Sequence, residues 1–102
     1  MGIDVQVESE RGEVETEVLD PDEFTERLLP GLHSEQSHCL RWVDEYGNTL
    51  FNQYKMPFFW REIAEAVSSA VEPKVRAHCE RVLALVRSAL EREHIYVRFV
   101  GD

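Results

Sequence analysis

The chain has 102 residues, 43% of them apolar and 30% charged, and its 20 Asp and Glu against 11 Lys and Arg leave a formal charge of −9 at pH 7. That length fits one domain over residues 1–102 and that apolar content excludes a disordered tail. No apolar run approaches the roughly 20 residues that span a bilayer, so no membrane association is expected.

The charge is unevenly placed. Residues 1–26 hold ten acids (Asp4, Glu8, Glu10, Glu13, Glu15, Glu17, Asp20, Asp22, Glu23, Glu26) and one base, Arg11, for −9, whereas the remaining 76 residues hold ten of each and are neutral. Nucleic-acid binding draws its affinity from basic patches that neutralise phosphates, and this distribution argues against it. The start Met1-Gly2-Ile3-Asp4-Val5 lacks the basic and apolar regions of a secretory signal, and Gln6 stands where a myristoylation pattern needs Ser or Thr. A cytoplasmic protein is the expectation.

Within the acidic segment Ile3, Val5 and Val7 alternate with Asp4, Gln6 and Glu8, and Val14, Thr16 and Val18 alternate with Glu13, Glu15 and Glu17. The pattern predicts a β-hairpin. With residues 9–12 as its loop, Val7 pairs with Val14, Val5 with Thr16 and Ile3 with Val18. The other face then sets Glu8 beside Glu13, Gln6 beside Glu15 and Asp4 beside Glu17. Like charges facing across a ladder cost on the order of 0.2–1 kcal/mol each. Such a face is either a solvated, solubilising surface or a docking surface for something cationic. Asp4, Glu8, Glu13, Glu15 and Glu17 are the candidate partner-binding residues.

Asp20-Pro21-Asp22-Glu23 reads as a helix start, with Asp20 as N-cap, Pro21 at the first position and Glu23 closing a capping box. Two to three turns burying Phe24 and Leu28 should follow and end at Pro30-Gly31; Leu32 to Ser37 reads as loop. Cys39-Leu40-Arg41-Trp42-Val43 and Asn48-Thr49-Leu50-Phe51-Asn52-Gln53 read as a second hairpin around Asp44-Glu45-Tyr46-Gly47. It would pair Trp42 with Thr49 and Leu40 with Phe51.

From Pro57 the apolar period becomes 3.6: Phe59, Ile63, Ala66, Val67 and Ala70 share one helix side. Pro73 divides this stretch into two helices, the second with a seam of Val75, Cys79, Val82, Val86 and Ala89 widened by Leu83, Leu85 and Leu90. Ile95 to Val100 alternates as a closing strand. The order β-β-α-β-β-α-α-β predicts an α+β fold, a mostly antiparallel five-stranded sheet with helices packed on one face.

The segment C-L-R-W-V-D-E-Y-G-N-T-L-F-N-Q (Cys39 to Gln53), with the ending H-I-Y-V-R-F-V-G-D (His94 to Asp102), resembles a family of small bacterial proteins of about 100 residues. Their shared pattern is an L-R-[FW]-[IV]-D-x-Y-G-[DN]-T-x-F-N hairpin before helices and an aromatic last strand, and mobile gene-cassette products are among them. The likeness covers about a quarter of the chain and departs from the pattern at Lys55 to Trp60 and over the first 26 residues. It implies a bacterial origin and a fold, and it carries over no functional residue.

Chemistry-bearing motifs are sparse. Cys39 and Cys79 each follow a His, His38 and His78, but adjacent strand residues point to opposite faces, and free Cys is ordinarily a buried structural residue. No catalytic residue is expected. His33, His38, Cys39, His78, Cys79 and His94 lack zinc-ligand spacing. Asp44 to Asn48 fails the calcium-loop rule, since its twelfth position is Lys55. No glycine-rich phosphate loop or nucleophile elbow occurs, so neither metal nor cofactor is expected.

Trp42, Phe51, Tyr54, Phe58, Phe59 and Trp60 crowd into 19 positions, more than one small core absorbs. Arg41, Trp42, Tyr54, Trp60 and His38 are therefore candidates for a pocket or subunit interface. The sequence favours a non-enzymatic interaction protein, a homodimer through its aromatic and helical surface, with the acidic hairpin engaging a basic protein. The alternative is a small-molecule binder or enzyme with an aromatic-lined pocket.

Overall fold

The computed structural model describes residues 2–29, 37 and 39–101. In chain order these form β1 (Asp4–Ser9), β2 (Val14–Val18), β3 (Asn48–Phe51), α1 (Met56–Ser69), α2 (Pro73–Ala89) and β4 (Ile95–Val100). Single 3-10 turns lie at Thr25–Leu28, Leu40–Trp42 and Gln53–Lys55. The strands make one antiparallel sheet in the order β2-β1-β4-β3. The class is α+β as the periodicities imply, but the described residues form a sheet of four strands where five were expected, and two α-helices where three were.

The missing strand is Cys39–Val43. Its backbone is claimed by a carboxylate from α1: Glu62 accepts from the Cys39 amide at 2.8 Å, from the Leu40 amide at 3.3 Å and from the Ser37 hydroxyl. These donors are unavailable to a ladder, and the chain turns as a 3-10 helix instead. The expected pairs Trp42 with Thr49 and Leu40 with Phe51 do not form. β3 pairs with β4, Thr49 opposite Phe99 and Phe51 opposite Val97.

The missing helix fails at Glu23. Asp20 caps the segment as its position suggests, accepting from the amides of Phe24 at 2.7 Å and Thr25 at 3.1 Å. Glu23, however, takes a φ of 60°, a left-handed conformation that a helix cannot continue through. One 3-10 turn, Thr25–Leu28, remains. The expected helix end at Pro30-Gly31 and the loop residues 32–36 lie outside the described residues.

β1 and β2 form the expected hairpin in a different register. Val5 pairs with Val18 and Val7 with Thr16, rather than with Thr16 and Val14. The Ser9 amide donates to the Glu13 carbonyl and Gly12 returns its amide to the Ser9 carbonyl, both at 2.9 Å. The loop is thus Glu10-Arg11-Gly12, with Gly12 at φ 81°, the left-handed position that a three-residue hairpin loop reserves for glycine. Between the pairs Val7↔Thr16 and Glu8↔Val14 the register shifts, with Glu15 as the extra residue of β2. Such a bulge re-aims its side chain.

Both helices pack on one side of the sheet. Val5, Val7, Ile95, Val97 and Phe99 face them and are buried with Phe59, Ile63, Val75, Cys79, Val82, Val86 and Ala89. Phe51, Phe59 and Phe99 stack with ring centroids 5.0 to 6.0 Å apart, tying β3, α1 and β4 together. A large side chain so buried contributes about 1.5–3 kcal/mol by leaving water. Pro73 starts α2, where a missing amide costs nothing. Among the described residues no helix lies over the opposite sheet face, which carries Asp4, Gln6, Glu8, Leu50, Tyr96 and Arg98.

Candidate functional site

The five hairpin acids meet different surroundings. Glu8, 5% exposed, is held by the Arg98 guanidinium on the neighbouring strand. Glu15, turned by the bulge, takes both guanidinium nitrogens of Arg92 at 2.7 and 3.1 Å from the turn after α2. Asp4 accepts the Asp20 amide at 2.8 Å, and Glu17 accepts from the Gln6 carboxamide at 3.2 Å. Glu13 is exposed, and its backbone, not its carboxylate, closes the loop. Glu10 at the tip lies 3.5 Å from the His94 ring, both well exposed.

Two of the five carboxylates are therefore neutralised by arginines of the same chain. Asp4, Glu13 and Glu17, among the described residues, meet no cationic side chain. Glu17 lies on β2, an edge strand, and Glu13 immediately precedes it. Every residue from Glu10 to Glu17 is exposed, and Val18 is half-buried. Val14, which pairs with Glu8 beyond the bulge, is 50% exposed. The surface that survives folding is the edge of the sheet and the hairpin tip, not the flat outer face.

The aromatic candidates are divided between places. Arg41 lies over the Trp42 ring at 4.7 Å, a cation–π contact. The pair lines a shallow depression of about 370 Å3 with Leu29, Leu40, Val43 and Tyr46. Trp42 is 57% exposed. Trp60 is half-buried elsewhere, in a depression at the carboxyl end of α2 with Arg87, Leu90 and Arg92. Its indole nitrogen is buried without an acceptor among the described residues. Tyr54 is exposed in the 3-10 turn that precedes α1. His38 lies outside the described residues, as does His33.

Sequence reasoning did not find the buried polar centre. Asp20, besides its two caps, accepts the Ile3 amide at 2.9 Å and lies 3.5 Å from His78 Nε2. His78 Nε2 is 2.7 Å from the Thr25 hydroxyl, and Arg81 approaches Nδ1 at 3.4 Å. Arg81 only donates, so Nδ1 accepts and the proton sits on Nε2. Burial lowers the His78 pKa below its ordinary value; Asp20 opposes the shift and Arg81 adds to it. In a catalytic triad the acid and the hydroxyl use different ring nitrogens. Here both meet Nε2, and Thr25 is fully buried, so the cluster fastens the Asp20 turn to α2.

The thiols are equally occupied in structure. Burial and the neighbouring Glu62 raise Cys39 to about 11, against the pull of Lys55. Cys79 is raised by burial and Asp20. A thiol so shifted is a poor nucleophile at neutral pH. No group of three or more potential metal ligands occurs among the described residues, and none of their helices is long and apolar enough to cross a membrane. No family model, curated protein or solved structure matches the chain.

Proposed function

We infer that this chain is a non-enzymatic protein-interaction module whose acidic β2 edge and hairpin tip receive a cationic partner protein. One observation carries the reading: of the hairpin acids that meet no cation among the described residues, Asp4, Glu13 and Glu17, the last two lie on the exposed edge strand β2 or immediately before it. Electrostatic complementarity of this kind speeds encounter and selects partners by sign. The two buried thiols, both free, suit a reducing cytoplasm.

The reading is tested with poly-L-lysine across an ionic-strength series, comparing the native chain with a Glu10→Gln, Glu13→Gln, Glu17→Gln variant. Association should weaken steeply as salt approaches 0.15 M, where the screening length falls to about 8 Å, and should be weaker throughout in the variant. Absence of binding at low salt, or equal binding by the two chains, would sink it.

The pocket alternative has less support, because Trp42 and Trp60 line separate depressions. Self-association finds support in the exposure of Trp42, Tyr46 and Tyr54, residue types enriched at interfaces. Sedimentation equilibrium tests it, and a strictly monomeric chain at millimolar concentration would exclude it.

A further inference from the structure

We propose that the cationic partner docks as an extended strand added to the free edge of β2, with its apolar residues on the helix side and its Lys or Arg residues on the other. This rests on the interaction reading above and specifies how the partner binds. The sheet order leaves β2 and β3 as edges. β2 pairs with β1 alone, and no backbone hydrogen bond of a described residue outside the sheet reaches Val14 to Val18. Its outward amides and carbonyls are a template for another strand.

Side chains on the two faces of that edge define the occupant. Towards the helices, opposite Val7 and Val5, Thr16 is exposed and Val18 half-buried. A neighbouring strand with apolar residues there would cover surface that α2 leaves open. Glu17 lies on the opposite face, paired with Gln6, and Glu13 stands at the loop end. Arg98 and Arg92 already neutralise Glu8 and Glu15, so an incoming strand meets the unneutralised acids.

A second copy of β2 is the wrong occupant, since it would bring the unneutralised Glu13 and Glu17 against their own kind. Like charges facing one another across a ladder destabilise it. The other edge, β3, reads Asn48-Thr49-Leu50-Phe51 and offers a cationic strand no charge. Acidic side chains on β2 thus bar self-pairing while leaving the edge open to a segment of opposite sign, which is selection by repulsion as well as attraction.

The probe is a short blocked peptide alternating Lys with Val. Two controls accompany it: the same peptide with N-methyl groups on alternate amides of its sheet-pairing side, and a Glu-for-Lys counterpart. Binding is followed by NMR and by amide hydrogen exchange of the intact chain. The Lys peptide should bind at low salt and slow exchange of amides within Val14 to Val18. N-methylation should cost about tenfold or more in affinity, and the Glu peptide should not bind. Glu13→Lys with Glu17→Lys should reverse the preference between the Lys and Glu peptides.

Equal binding of the methylated and unmethylated Lys peptides would overturn strand addition while leaving the acidic docking surface intact. Protection appearing at Asn48 to Phe51 instead would overturn the assignment of the edge. Failure of the Lys peptide to bind, where poly-L-lysine does, would overturn strand addition alone; failure of both would remove the docking reading as well.

Discussion

Replacing Asp20 by Ala removes the one acceptor that three backbone amides share. The Ile3 and Thr25 amides, at 2.9 and 3.1 Å, are buried, and the Phe24 amide, at 2.7 Å, is partly buried. An orphaned buried donor costs about 1–3 kcal/mol, so the two buried ones together cost about 2–6 kcal/mol. With the third counted partially, the expected loss is about 4 kcal/mol, a large share of the roughly 5–15 kcal/mol that holds a domain folded. Asp20→Asn separates charge from geometry. One carboxylate oxygen serves both buried amides, so a carboxamide oxygen placed there keeps them and turns its amino group on the Phe24 amide. That leaves one clash of donors and a loss of about 1–2 kcal/mol. Urea denaturation followed by circular dichroism measures both. With slopes of about 1–3 kcal/mol per molar, Asp20→Ala should lower the midpoint by more than about 1 M. A loss under about 1 kcal/mol for Asp20→Ala at unchanged slope would refute the assignment of Asp20 as the anchor.

Two further outcomes follow from the buried titrating groups. With Cys39 raised to about 11 rather than 9.0, roughly one molecule in a thousand is thiolate at pH 8, against about one in ten for the ordinary thiol. A disulfide reagent should therefore label the folded chain on the order of a hundredfold more slowly than the urea-unfolded one; comparable rates would contradict the burial of Cys39 beside Glu62. His78 faces Thr25, Asp20 and Arg81, with Asp22 and Asp4 nearby, and burial sets its folded pKa below the ordinary 6.5. Between those two values the unfolded chain binds more protons, so stability is full above about 6.5 and declines as pH falls, by up to about 1.4 kcal/mol per unit. His78→Gln should flatten the stability profile between pH 7 and the folded value; an unchanged slope in that window would show that His78 does not carry it.

The elements that local sequence specified are those whose reasons are local. α1 and α2 follow from a 3.6 period and from Pro73, which can begin a helix but not continue one. The alternation of β1, β2 and β4 likewise marks them as half-buried strands. What escaped depends on distant partners or on single backbone positions. Cys39 to Val43 has strand-like composition, yet Glu62, 23 positions on from Cys39, takes its amides. The hairpin register turns on Gly12 and on the extra residue Glu15, whose bulge no alternation pattern reveals.

The same asymmetry governs the charge. Counting residues 1–26 alone gives an unrelieved acidic face, because the bases that relieve it, Arg92 and Arg98, come from the far end of the chain, 77 positions from Glu15 and 90 from Glu8. β1 is a central strand, so Glu8 has a neighbour on β4 to supply a cation. β2 is an edge strand, and only Glu15, displaced by the bulge, reaches one. Glu13 and Glu17 meet no cation among the described residues, because the sheet stops beside them. The position of β2 in the strand order, rather than the number of acids in the segment, thus determines where an outside cation finds the least internal competition.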